Sequence, residues 1–217
     1  MTIFYHKLDF DLSQGAKQWV IDRYREKFKT TFYHDCDTSQ IADDRLQQDW
    51  QQGPVGRELL PFLATYGLDA SYYGITTFIS NTAEPYPGNP HIDFKFNREM
   101  IQSPIKSRIN IMILGNLQDE MVWWDWLGCD DLRLREAEYT SDITGQTFTC
   151  RNVPGDSKPE RLKFVGEPTQ RAGSILAPSA FVKTDCAHTA NLSTGPRLLV
   201  TVAFGKTIEE ILSFNTV

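Results

Sequence analysis

With 217 residues, 41% hydrophobic and 12% aromatic side chains, the chain suits one domain with a real core. A formal charge of -6, a pI near 5.2 and no basic stripe argue against a nucleic-acid backbone as the main partner. No run of about 18 apolar residues is present, so no membrane span is expected. Met1-Thr2-Ile3-Phe4-Tyr5-His6-Lys7 lacks the basic and apolar regions of a signal peptide. Cys36, Cys129, Cys150 and Cys186 are scattered, without a Cys-x-x-Cys pair, and read as reduced thiols of a cytoplasmic protein.

Taken along the chain, Ala16, Trp19, Val20, Tyr24 and Phe28 recur at helical spacing and predict an amphipathic helix over 14–31. Leu59, Leu60, Phe62 and Leu63 mark a second helix over 56–66, with Gly67 placed to close it. From Tyr72 to Ser80 the residues turn β-branched and aromatic, and Pro85, Pro87, Gly88 and Pro90 then punctuate a turn. Arg108–Leu114 alternates, with Ile109, Ile111 and Ile113 on one face and Arg108, Asn110, Met112 and Leu114 on the other. Met121–Trp126 reads as a tryptophan-rich strand and Ser174–Ala177 as a short apolar one. Between them, 127–170 is polar and broken by Gly145, Pro154, Gly155 and Pro159, as an elaborated loop or hairpin region would be. Arg197–Phe204 alternates again, setting Leu198, Val200, Val202 and Phe204 against Arg197, Leu199, Thr201 and Ala203, and 207–212 favours a short closing helix.

Helices followed by many short strands predict an α+β fold built on a β-sandwich or barrel. The aliphatic strand faces should pack on the N-terminal helices. The mixed faces should then line an interior, with Arg108 and Arg197 pointing into one pocket. One domain over 1–217 follows: 1–70 as helical support, 71–206 as barrel strands with a polar insertion at 127–170, and 207–217 as a C-terminal helix.

Two stretches carry chemistry. Asn89-Pro90-His91-Ile92-Asp93 sets an imidazole and a carboxylate two residues apart. His188 supplies a distant second imidazole, and Arg197 follows nine positions later. Two histidines and one aspartate on one face of an octahedral ion leave three positions open, the facial arrangement of non-haem Fe(II) oxygenases. An arginine fork matches a carboxylate in geometry and charge, as a dicarboxylate cosubstrate requires. Each residue alone has a plainer role: a hydrogen-bonded histidine, an aspartate capping the turn after Pro90, a strand-end arginine. Their co-occurrence favours the metal site with ligands His91, Asp93 and His188, and a cosubstrate site with Arg197, Arg108 and Asn110. His6 and His34 lack that context and read as structural. Trp123, Trp124 and Trp126 alternate between faces, so core is the better reading for the cluster. Asp185 and Cys186, just before His188, could touch the site, and Cys186 reads equally well as an inert packed thiol.

On these residues the chain resembles the 2-oxoglutarate- and Fe(II)-dependent oxygenases. The resemblance implies a double-stranded β-helix, a jelly-roll or cupin-like barrel flanked here by the N-terminal helices. Ser107-Arg108-Ile109-Asn110, and Ala187-His188-Thr189-Ala190-Asn191 leading to Pro196-Arg197-Leu198-Leu199-Val200, look most like the aspartyl/asparaginyl β-hydroxylase branch. Animal members of that branch lack the acidic ligand, whereas Asp93 is present here. By resemblance, His91, Asp93 and His188 hold iron, Arg197 grips the distal carboxylate of 2-oxoglutarate, and Arg108 is a second basic residue near it. The reaction implied is hydroxylation of an unactivated C–H bond with dioxygen, giving succinate and carbon dioxide as coproducts. A small amino-acid-like substrate under 127–170 is the leading expectation, where Arg133, Arg135, Glu136 and Glu138 could meet a zwitterion. Three alternatives stay open: a peptide or protein side chain as substrate, a cupin-like metalloenzyme without 2-oxoglutarate, and a non-catalytic jelly-roll binding module.

Overall fold

The computed structural model describes residues 2–30, 39–41, 51–69, 75–82, 86–87, 91–92, 105–115, 119–126, 135–140, 147–152, 162–165, 179–192 and 195–214. Side chains are described for 2–25, 51–69, 105–115, 119–124, 179–191 and 195–214. Among the described residues, the N-terminal region contains two helices. In α1 (Gln14–Thr30), Ala16, Val20 and Tyr24 recur every four residues and are buried. Ser13 caps its start: the Ala16 amide donates to Ser13 Oγ at 3.2 Å, and both polar groups of Ser13 donate to the Glu58 carboxylate. That carboxylate lies on α2 (Pro54–Thr65), which opens with proline at its first position and buries Val55, Leu59 and Leu63. Gly67 ends α2 as its position in the sequence predicts. It takes φ +61°, and the amides of Gly67 and Leu68 return to the carbonyls of Ala64 and Leu63.

Two antiparallel sheets follow. The strands are β1 (Tyr5–Leu8), β2 (Ser39–Ile41), β3 (Ile75–Thr82), β4 (Tyr86–Pro87), β5 (His91–Ile92), β6 (Ser107–Leu114), β7 (Glu120–Trp126), β8 (Arg135–Thr140), β9 (Thr147–Asn152), β10 (Leu162–Val165), β11 (Ser179–Lys183), β12 (His188–Leu192) and β13 (Gly195–Phe204). One sheet has six strands in the order β1-β11-β6-β13-β3-β2. The other has seven, in the order β10-β7-β12-β5-β9-β8, with β4 also paired to β12. Successive strands β11, β12 and β13 thus alternate between sheets, as do β5, β6 and β7. A short helix, α3 (Ile208–Ser213), closes the described chain. Thr207 and Glu210 satisfy each other's backbone amides at its start.

The six-stranded sheet puts its aliphatic face on the helices. Ile109, Ile111, Leu198, Val200, Val202 and Phe204 share one core with Val20, Leu59 and Leu63, as the alternation in β6 and β13 predicts. One residue departs from that pattern. Leu198 pairs with Leu114 and Leu199 with Met112, so Ile113 is an extra residue, a β-bulge. The bulge rephases the end of β6, and Leu114 packs on the helix-side core instead of sharing the face of Arg108.

The opposite face of this sheet meets the seven-stranded one. Met121 and Trp123 from β7 pack with Ala180 and Val182 from β11. Trp123 is only 1% exposed and donates its indole N–H to the Lys183 carbonyl at 2.9 Å, so the core reading holds for it. The polar stretch 127–170 contributes β8 and β9 as a hairpin and β10 as an edge strand, all in the seven-stranded sheet. The expected strand over 174–177 lies outside the described residues, and β11, unforeseen in the sequence, follows it. Among the described residues, no helix is long and apolar enough to cross a membrane.

Candidate functional site

Strand register assembles the site. Directly opposite residues in a sheet ladder belong to the same face. In the seven-stranded sheet, His188 is directly opposite Trp123 on one side and His91 on the other. Trp123 points toward the six-stranded sheet, so His188 and residue 91 belong to the interior face of their own sheet. The two histidines, 97 positions apart in the sequence, are neighbours across one ladder step. Asp93 lies outside the described residues. Among the described residues, no three His, Cys, Asp or Glu side chains converge as a metal cluster, and His188 is the one member of the expected triad whose side chain is described.

His188 is 3% exposed, and its Nδ1 lies 2.9 Å from the carbonyl oxygen of Cys186. A carbonyl only accepts, so Nδ1 carries the proton and Nε2 keeps the lone pair in the neutral ring. That tautomer is the one a metal ligand needs, with the outer hydrogen bond fixing the ring's orientation. The local chain explains the contact. A bend at Asp185–Cys186 precedes β12 and turns the Cys186 carbonyl toward the ring two residues later. The thiol of Cys186 itself is pushed up to about 12, by burial first, with Lys183 opposing and Asp185 adding. At neutral pH it is a protonated, packed thiol, in line with the plain reading.

The six-stranded sheet supplies the facing wall. Val182 and Ala180, which touch Trp123, are directly opposite Arg108 and Asn110. Arg108 and Asn110 are in turn directly opposite Ala203 and Thr201. Arg108, Asn110, Thr201 and Arg197 are therefore brought to the interior side, and all four are buried. Thr201 Oγ1 donates to Asn110 Oδ1 at 2.9 Å, so these two polar side chains bind each other across the β6–β13 step.

Arg197 is placed as expected on the mixed face, but its surroundings contain a group that the sequence did not flag. Its Nε lies 3.6 Å from Oδ2 of Asp119, the residue leading into β7, and their side chains are 11% and 3% exposed. The distance is short enough for an ion pair and long for a hydrogen bond, and among the described residues Nε makes no hydrogen bond. Burial lowers the guanidinium's affinity for its proton, and the Asp119 charge works the other way. A buried arginine with an uncommitted N–H is suited to a carboxylate, so the donor set on this wall fits a dicarboxylate cosubstrate. Asp119 had no signal in the sequence, because only the fold brings the start of β7 to Arg197.

Comparison with protein-family descriptions and with curated proteins finds no match for this chain. Solved structures do. EvdO2 from Micromonospora carbonacea var. aurantiaca is similar at 15% identity and a TM-score of 0.49, covering 93% of this chain and 85% of its own. The non-heme alpha ketoglutarate dependent epimerase SnoN from nogalamycin biosynthesis is similar at 12% identity and a TM-score of 0.47, covering 92% of this chain and 76% of its own. A prolyl-4-hydroxylase of Pseudomonas putida is similar at 13% identity and a TM-score of 0.36, covering 93% and 91%.

Proposed function

We propose that this chain is an Fe(II)- and 2-oxoglutarate-dependent oxygenase whose metal is held by His91, Asp93 and His188 and whose cosubstrate is held by Arg197. The observation that carries the reading is the direct pairing of His188 with His91 on the interior face, with the Nδ1–carbonyl bond setting His188 in its metal-binding tautomer. Strand order supports it too. The runs β11-β6-β13-β3 and β10-β7-β12-β5 have the interleaving expected of a double-stranded β-helix. When bound, iron and 2-oxoglutarate would supply the oxidising power for C–H hydroxylation. The protein's own share is to orient: His188 offers Nε2, Arg197 fixes the distal carboxylate, and the buried walls around Trp123 and Thr201 keep water away. Arg108 and Asn110 line the same wall, which supports their assignment beside the cosubstrate. The Ser107–Asn110 and Ala187–Asn191 segments favour the aspartyl/asparaginyl β-hydroxylase branch.

Anaerobic addition of Fe(II) and 2-oxoglutarate tests the reading. The expected result is a weak visible charge-transfer band in the wild-type protein and none in His188→Ala, which should also lose bound iron. Full iron occupancy in His188→Ala would remove His188 from the ligand set.

A further inference from the structure

Arg197 and Asp119 come from different sheets and meet in the interior, where neither is well hydrated. Their contact is incomplete. At 3.6 Å, and without a hydrogen bond from Nε, the pair has Coulombic attraction but not the directional bond that would lock it. Gly115 lies close by: a Cβ added there would stand 3.4 Å from Asp119 Oδ2. A buried cation with one resident carboxylate is neutral as a pair, and a second carboxylate arriving at the same guanidinium makes the group an anion. In a buried setting that excess charge is costly.

We infer that Asp119 is a specificity- and affinity-setting residue: the resident counter-ion of Arg197, against which an incoming dicarboxylate must compete. The inference rests on the proposed role of Arg197 as the carboxylate handle. It makes the unliganded and liganded states respond oppositely to loss of the Asp119 charge. Unliganded, the guanidinium loses its neutralising partner and the fold weakens. Liganded, the cosubstrate carboxylate takes over that partner's role without a like charge beside it.

The test compares wild type and Asp119→Asn, both loaded with Mn(II) as a redox-inert ion. It measures the melting temperature without ligand and the dissociation constant for 2-oxoglutarate by calorimetry. Asp119→Asn should melt lower yet bind 2-oxoglutarate about tenfold tighter, the scale of one charge-assisted contact regained. A merely structural residue would move both quantities the same way. Equal or weaker binding by the variant, beside normal binding by wild type, overturns the inference and leaves the oxygenase reading standing. No binding by either protein overturns both, whereas binding by the variant alone supports the competition. Should Asp119→Asn not fold, Asp119→Glu keeps the charge and reaches one methylene further. It should bind 2-oxoglutarate no more tightly than wild type, and tighter binding would overturn the inference.

Discussion

Removing the buried arginine acts in two ways. Arg197→Ala takes away the proposed cosubstrate handle and also leaves Asp119, 3% exposed, without the guanidinium beside it. Breaking one side of a buried pair costs about 3–5 kcal/mol, more than deleting both charges together. Arg197→Ala should therefore lose stability in urea unfolding, and Arg197→Ala/Asp119→Asn should recover part of it. Neither protein should regain affinity for 2-oxoglutarate, which is expected to fall by about tenfold to a hundredfold. Recovery of affinity in the double variant would move the handle to Arg108. His188 and Arg197 were singled out in the sequence because a metal triad and a carboxylate fork demand particular residue types in order, and the fold buries both on the interior side. Asp119 and the Cys186 carbonyl were not, since one is a lone aspartate among many and the other is backbone, which has no sequence identity at all.

Helices and alternating strands were read closely. The first helix, the second helix, β6, β7 and β13 begin or end within a few residues of their sequence expectations; in the helices, β6 and β13 an aliphatic face alternates with a mixed one, which leaves the period visible even where both strand faces are buried. Elements without a one-sided pattern escaped. β11 is short, and its buried Ser179, Ala180, Phe181 and Val182 set no aliphatic face against a polar one, so there is no alternation to read. β8, β9 and β10 sit in a polar stretch and derive their register from neighbours. The bulge at Ile113 was equally silent, being a property of the β6–β13 pairing and not of β6 alone. A turn that was foreseen gives a sharp test. Gly67 stands at φ +61°, and a Cβ there would come within 2.6 Å of the Phe214 ring. Gly67→Ala should cost about 1–2 kcal/mol from backbone conformation alone, since Phe214 is exposed and its ring can swing aside. Chemical denaturation checks it, and an unchanged midpoint would mean that the turn relaxes to another closure.

The architecture bears on the substrate. The segment expected to act as a polar cover holds β8, β9 and β10, and β9 pairs with β5 so that Asn152 is directly opposite His91. The polar stretch thus contributes strands to the sheet that carries the histidines, and on the proposed oxygenase reading a compact substrate beside them is the one to test. Free amino acids should stimulate succinate formation from 2-oxoglutarate selectively. Uniform background with all of them, beside stimulation by a peptide, would favour the peptide side chain instead.

The position of β13 governs how this chain can be made. Among the described residues, β3 and β6 are joined to each other through β13 in the six-stranded sheet, and β7 and β5 through β12 in the other. Both joining strands are synthesised after every strand they connect. On the ribosome, β3 must wait for more than 110 further residues before its partner emerges. Through that interval its edge, and that of β6, are open to pairing with other chains. Vectorial synthesis therefore leaves both sheets unfinished until β12 and β13 arrive, with those edges exposed in the meantime.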